Sequence, residues 1–209
     1  MRKMKRLLVV YDKEIEDRGR DSYLKAIQKN IPEAIIADVD NLPDCTVRNV
    51  LALKPMADDT YKWIMELLEA NPINDIEGAA SKRLTITAEA VLRTIGDVER
   101  KTVVIINQSE ILGKSLAREL LELGANVVSL NSDYTSLENL LTMTDIDVLV
   151  SASNNSDFTI DRFLTKDIKI KIDLSEDLDD PNKITRVPTI EVLKDRLENS
   201  NKWWEQNND

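Results

Sequence analysis

Short runs of valine, isoleucine and leucine alternate with stretches of helical period along most of the chain, and no other feature constrains its fold as strongly. An apolar run bounded by turn signals reads as a strand buried on both faces. Strands of that kind, joined by amphipathic crossover helices, build a mostly parallel α/β sheet. They are expected at Leu7 to Tyr11, Ala34 to Val39, Val47 to Leu53, Val103 to Asn107, Asn126 to Leu130, Asp147 to Ala152 and Ile168 to Leu174. Seven strands are too many for one small unit. Two helical patterns, Asp58 to Ala70 and Thr87 to Ile95, flank the turn-rich stretch Asn71 to Lys82 and split the chain into two α/β lobes. The first lobe is expected over residues 1–85 with a C-terminal helix over 189–209 returning to it, and the second over 86–188. From Thr102 to Leu174 strand and helix alternate with short connections, as in a Rossmann-like parallel sheet with flanking helices.

What the chain lacks narrows its chemistry. There is no histidine among its 209 residues, which removes Ser-His-Asp and Cys-His mechanisms and any His-ligated metal; no metal site is expected. The single Cys45 cannot form an intrachain disulfide, which fits a reducing, cytoplasmic setting. With 28 Lys and Arg against 38 Asp and Glu the net charge is -10, so neither nucleic acid nor an anionic membrane is an expected partner. The basic N-terminus is followed by an apolar run of only Leu7 to Val10, a strand rather than a signal peptide, and no other segment is long enough to span a bilayer. The acidic stretch from Ser175 to Lys183 lacks the central glycine of a calcium loop and is expected to be a solvated loop. Beyond Pro188, the residues Ile190, Val192, Leu193 and Leu197 give one apolar helical face ending in Trp203 and Trp204; the adjacent tryptophans read as packing on the first lobe or, alternatively, as an interaction or membrane anchor.

The strand Val103 to Ile106 runs into Asn107-Gln108-Ser109-Glu110-Ile111-Leu112-Gly113-Lys114 and then an amphipathic helix. A turn at the end of a parallel strand, opening directly into a helix, offers backbone N–H groups and a positive dipole end to an anion. Two readings stand: a site for a dinucleotide pyrophosphate, or an ordinary strand-to-helix turn. Gly113 alone remains of the small residues that would let the backbone approach phosphates.

NQSEILGKS, preceded by VVII, resembles the GRSxxVGxP signature of the bifunctional methylenetetrahydrofolate dehydrogenase and methenyltetrahydrofolate cyclohydrolase family. Further resemblances follow in the family's order. PINDIEG is similar to P-x-KDVDG, TAEAVLRTI to the helix after PCTP, and VVSLNSDYTSLENLL to the strand and loop carrying HSxT. DIDVLVSASNN is similar to ADIxVxAxG and KIKIDLS to xVIDVG. The resemblance implies a two-lobed α/β fold, an NADP cofactor on the second lobe and a homodimer. It also implies hydride transfer from the methylene bridge of a reduced folate, followed by hydrolysis of the methenyl product.

On this resemblance Tyr23 takes the place of the folate-site tyrosine, while the catalytic lysine position holds Ile27, which can neither transfer a proton nor stabilise charge. Lys25, Lys29 and Lys54 are the nearby alternatives. Asp75 matches the family's first aspartate, either binding the folate ring or capping a polar turn, and Glu77 replaces the second. On the cofactor side the resemblance implies Asn107, Gln108, Ser109, Gly113, Lys114, Asn131, Ser132 and Asn154. Gln108 stands where the family has an arginine for an NADP phosphate, Asn131 and Ser132 at its His-Ser pair, and Asn154 at a glycine. Thr185 to Thr189 replace the glycine-rich TPVPGGVGPMT loop, and material is lost around residues 79 to 86. Three functions follow as alternatives: an active enzyme with altered residues, a catalytically silent relative that keeps the scaffold, and a Rossmann-like nucleotide sensor. The last leaves PINDIEG and TAEAVLRTI unexplained.

Overall fold

The computed structural model describes residues 7–43, 49–143 and 145–207; Cys45 and Val47 lie outside the described residues. The chain forms two compact units, one of residues 1–83 with 189–209 and the other of residues 84–188. No described helix is long and apolar enough to cross a membrane.

The first unit is a parallel sheet in the order β2-β1-β3, with β1 at Leu7–Tyr11, β2 at Ile35–Asp38 and β3 at Asn49–Ala52. β1 is central, so Leu7, Val9 and Val10 are all at most 2% exposed, as a strand covered on both faces requires. Helix α1 (Arg18–Asn30) follows β1. Its start is fixed by Asp17, whose carboxylate accepts from the Arg20 backbone N–H at 2.6 Å. Helix α2 (Asp58–Ala70) buries Ile64 and Leu68 against Val10, Ala52 and Met56. After a short 3-10 turn at Pro72–Asn74, the chain runs alongside β3 through a parallel bridge between Val50 and Asp75. The last helix, here α7 (Thr189–Asn207), belongs to this unit and contributes the fully buried Val192 and Leu193.

The second unit begins with α3 (Ile86–Ile95) and continues as β4 (Thr102–Ile106), α4 (Gly113–Glu122), β5 (Asn126–Leu130), α5 (Leu137–Met143), β6 (Val148–Ser151), α6 (Arg162–Thr165) and β7 (Ile170–Asp173). Its four parallel strands have the order β5-β4-β6-β7. Side chains of β4 alternate between two cores, as the period of two in a strand demands. Val103 and Ile105 pack with Val91, Leu116 and Leu120, and Val104 and Ile106 with Leu137, Leu141 and Ile160. The chain leaves β4 towards β5 on one side and later returns to β6 on the other, so the switch point of the sheet lies between β4 and β6, where such folds leave a crevice at the strand ends.

The stretch from Ser175 to Lys183 is not the solvated loop its composition suggests. Asp173, Asp177 and Leu178 are at most 2% exposed and Asp180 only 8%. Lys171 reaches Asp180 at 2.7 Å and Lys183 reaches Asp173 at 2.8 Å, so two of the buried acids are paired with lysines. The Asp180 carboxyl is held below its ordinary range by that Lys171 hydrogen bond and the Asn182 backbone N–H. Burial pushes the Asp173 carboxyl up, but Lys183 and the backbone N–H groups of Leu178, Asp177 and Ser175 outweigh it and hold the group low. Trp203 also departs from simple packing: it is 44% exposed and meets Trp204 edge to face at 5.0 Å.

Candidate functional site

In the first unit, Tyr23 and Ile27 lie one turn apart on the same face of α1. Ile27 is 0% exposed and wholly part of the core. The Tyr23 hydroxyl is shielded from solvent and makes no hydrogen bond of good geometry, although the Thr189 hydroxyl stands beside it. Burial pushes the Tyr23 phenol far above its ordinary range, the negative charge of Glu77 pushes it further, and Arg196 with Thr189 draws it partly back. Among the described residues, the charged groups acting on Tyr23 are therefore Glu77 and Arg196. Lys25 and Lys29 are exposed, and Lys54 lies with its Nζ 4.1 Å from the Tyr61 ring centre.

Asp75 is 0% exposed and spends its carboxylate on its own loop. Oδ1 accepts from the Gly78 N–H at 2.9 Å, and Oδ2 accepts from both the N–H and the hydroxyl of Ser81 at 2.7 Å. Arg83 closes the same loop by donating to the carbonyls of Asp75 and Pro72. The geometry is that of a turn-organising acid, the second of the two readings for this residue. Glu77, two positions on and 7% exposed, is the acid that acts on Tyr23.

In the second unit, Asn107 follows the central strand β4 and its side chain fills the turn. Its Oδ1 accepts from the Ser109 N–H at 2.9 Å, the Ser109 hydroxyl at 2.8 Å and the Gly113 N–H at 2.9 Å. Its Nδ2 donates to the Ala152 carbonyl at 2.7 Å, a bridge from the end of β4 to the end of β6 across the switch point. Leu112 N–H donates to the Ser109 hydroxyl and Lys114 N–H to the Ser109 carbonyl. The Ser109 N–H of the turn and the Leu112, Gly113 and Lys114 N–H groups at the start of α4, of the kind an anion would need, are thus taken by the chain itself. Gly113 is required by close approach: a Cβ there would lie 1.8 Å from the Asn107 carbonyl oxygen.

The other cofactor-side residues gather at the same strand ends. Gln108 donates from Nε2 to the Ser129 carbonyl at 3.0 Å, and Lys114 pairs with Glu110 at 2.6 Å. Beside them lies a shallow, open depression bordered by Gln108, Glu110, Lys114, Ala117, Arg118 and Ser129. Asn131 and Ser132 follow β5 directly. Asn154 lies beyond β6 with φ of 54°, the left-handed region that favours glycine and asparagine, and its Oδ1 accepts from the Ser175 hydroxyl at 3.1 Å. As arranged, the turn after β4 fits a dinucleotide pyrophosphate poorly, because the N–H groups of Ser109, Leu112, Gly113 and Lys114 already have acceptors.

No protein-family model and no curated protein sequence matches the chain. Solved structures do. The NAD-dependent 5,10-methylenetetrahydrofolate dehydrogenase of Saccharomyces cerevisiae superposes with a TM-score of 0.74 at 17% identity, over 99% of this chain and 90% of that one. The methylenetetrahydrofolate dehydrogenase-cyclohydrolase of Trypanosoma brucei, complexed with NADP and an inhibitor, gives 0.73 at 15% identity over 97% and 88%. The bifunctional dehydrogenase/cyclohydrolase of Campylobacter jejuni gives 0.69 at 19% identity over 95% and 88%. The chain has the folate-dehydrogenase fold.

Within the folate-dehydrogenase fold, Tyr23 lies on α1 of the first unit and the turn after β4 lies at the strand ends of the second. Arg196, which donates to the Ile76 and Glu77 carbonyls, was not singled out from the sequence, although a signal was available. Position 196 lies three and four residues after Leu193 and Val192, beside the apolar stripe of α7, where a half-buried charge needs hydrogen-bond partners.

Proposed function

We propose that the chain is a short, divergent member of the methylenetetrahydrofolate dehydrogenase/cyclohydrolase family, a pseudoenzyme with lost or strongly reduced catalysis that keeps at most residual folate or nucleotide binding. The observation carrying this reading is Ile27, fully buried where the resemblance puts the catalytic lysine. Opening a methenyl bridge needs a group that passes a proton, and an isoleucine in the core supplies none. The Asn107 amide adds to it from the second unit, because hydride transfer to NADP needs the dinucleotide held at a turn that this side chain fills. A reduced folate is the small-molecule partner on this reading, and the protein works as a cytoplasmic homodimer.

A second reading, an active NADP-dependent methylenetetrahydrofolate dehydrogenase/cyclohydrolase, is favoured by one feature. The shielded Tyr23 hydroxyl, with Glu77 and Arg196 acting on it, is a polar environment that a spent site has no need to keep. Titration of the purified protein with NADP, NAD and 5,10-methylenetetrahydrofolate by calorimetry, followed by absorbance of reduced cofactor, decides between them. The pseudoenzyme reading expects no reduced cofactor above a protein-free control. Sustained turnover abolished by Tyr23→Phe establishes the second reading instead.

A further inference from the structure

The apolar residues of α2 do not all face the core. Ile64 and Leu68 are 5% exposed and pack with Val10, Ala52 and Met56, but Trp63 and Leu67 are each 49% exposed. With about 100° of turn per residue, Leu67 and the exposed Ala70 lie within about 40° of Trp63, so the three form one stripe along the helix. Ile64 and Leu68 lie on one side of that stripe, and the exposed acids Asp59 and Glu66 on the other. Single exposed apolar side chains are ordinary on a protein surface. A tryptophan and a leucine one turn apart, beside a row of acids, make a face with both an apolar centre and a charged border.

The first sheet is thinly covered where α2 lies. Successive side chains of β1 point to opposite faces, and Leu8 and Val10 share theirs with Val50 and Ala52 of β3. Among the described residues α2 is the one helix that joins this cluster, and Leu8 and Val50 stay only partly buried in it. The acids decide what fits outside. Asp59 and Glu66 make no ion pair among the described residues, and Lys62 is the one basic residue of α2 against Asp58, Asp59, Glu66 and Glu69. A second copy of the chain would bring the same acids face to face in a two-fold contact, with a net charge of -10 on each partner. A partner with a cationic border meets attraction instead.

We propose that the outer face of α2, centred on Trp63 and Leu67, docks an amphipathic helix of a protein partner, its apolar stripe against these two residues and its lysines or arginines along Asp59 and Glu66. Trp63 anchors the contact, because a half-exposed indole offers the largest apolar area for a partner to cover. Docking here is independent of folate or nucleotide binding.

Two synthetic peptides, followed by fluorescence anisotropy with the full-length protein, test the face. Both carry leucines at one helical spacing; the first has lysine and the second glutamate at every polar position. The lysine peptide is expected to bind, more weakly as salt is raised, and the glutamate peptide is not. Trp63→Ser is expected to weaken binding roughly tenfold and Leu67→Ser several-fold, and neither removes a buried side chain. Trp203→Ser, at a tryptophan of similar exposure on α7, is expected to leave binding unchanged. Asp59→Lys combined with Glu66→Lys is expected to weaken binding of the lysine peptide and to admit the glutamate peptide. Equal binding of the two peptides to the native chain, binding of neither, or a Trp63→Ser variant that binds like the native chain overturns the proposal. So does equal weakening by Trp203→Ser, which marks general adhesion to an acidic protein. Sedimentation gives the remaining outcome: a native dimer that Trp63→Ser turns into a monomer assigns the face to a second copy and overturns the cationic partner.

Discussion

Tyr23 in the first unit and Asn107 in the second are the two positions on which the proposed function turns, and their polar atoms fare oppositely. The Tyr23 hydroxyl is buried without a good partner, while the Asn107 amide has three donors on its oxygen and an acceptor for its nitrogen. An unpaired buried hydroxyl costs free energy that a ligand can recover. A saturated amide offers a ligand nothing and must be displaced before anything else binds. Within one chain, the first unit leaves a buried hydroxyl poorly satisfied, and the second saturates a side-chain amide within its own turn.

The sharpest way to break this contrast is through the buried charges that hold the second unit together. Asp173→Ala leaves Lys183 without its carboxylate at a site where the acid is 0% exposed, and is expected to cost about 3–5 kcal/mol in denaturant unfolding. The acid dependence carries the same sign. The folded carboxyl is held below its unfolded value of about 3.9, so its contribution is present above that pH and lost as pH falls through the folded value. Asp173→Asn therefore flattens the acid limb of the stability curve below about pH 4, and an unchanged limb would show that other carboxylates set it.

Ile27→Lys probes the first unit next. Placing an ammonium at a 0% exposed core position is expected to destabilise by roughly 3 kcal/mol without producing cyclohydrolase activity. Recovery of turnover in a stable variant would mean that the site has room for a lysine after all. Gly113→Ala follows at about 1–3 kcal/mol, since the Asn107 backbone must move to admit the methyl group. The smallest change in stability belongs to Asn107→Gly, about 1 kcal/mol from the hydrogen bonds removed. Its value lies in binding: it frees the Ser109 and Gly113 N–H groups, and NADP binding by calorimetry is expected to be stronger than that of the native chain. Failure to gain it would show that the filled turn is not what separates the second unit from a working cofactor site.

The strands were legible because parallel sheets bury both faces of each strand. Val103 to Ile106, all 0% exposed, need no partner knowledge to be recognised. Helix α2 was legible from Asp58 to Ala70 because one apolar stripe faces the core and Asn71 ends it. What stayed hidden depends on partners distant in sequence. Asp177 reads as one more acid in a polar run, yet its carboxylate accepts from the hydroxyls of Ser151 and Ser153, more than 20 residues earlier, and so becomes part of the core. The choice between Asp75 and Glu77 could not be made from PINDIEG, because it turns on which acid Ser81 and Gly78 engage and which one acts on Tyr23. Asn107 was legible as a lost glycine; that its side chain would take the phosphate's own donors was not.

The first unit is discontinuous: its sheet comes from the beginning of the chain and α7, with Val192, Leu193 and Arg196, from the end. A ribosome releases residues in order, so the whole second unit is made before the segment that seals the first core. Until then the face of α1 that α7 will cover stays open to water, and nascent chains pass through a sticky stage whose duration is set by translation rather than by folding.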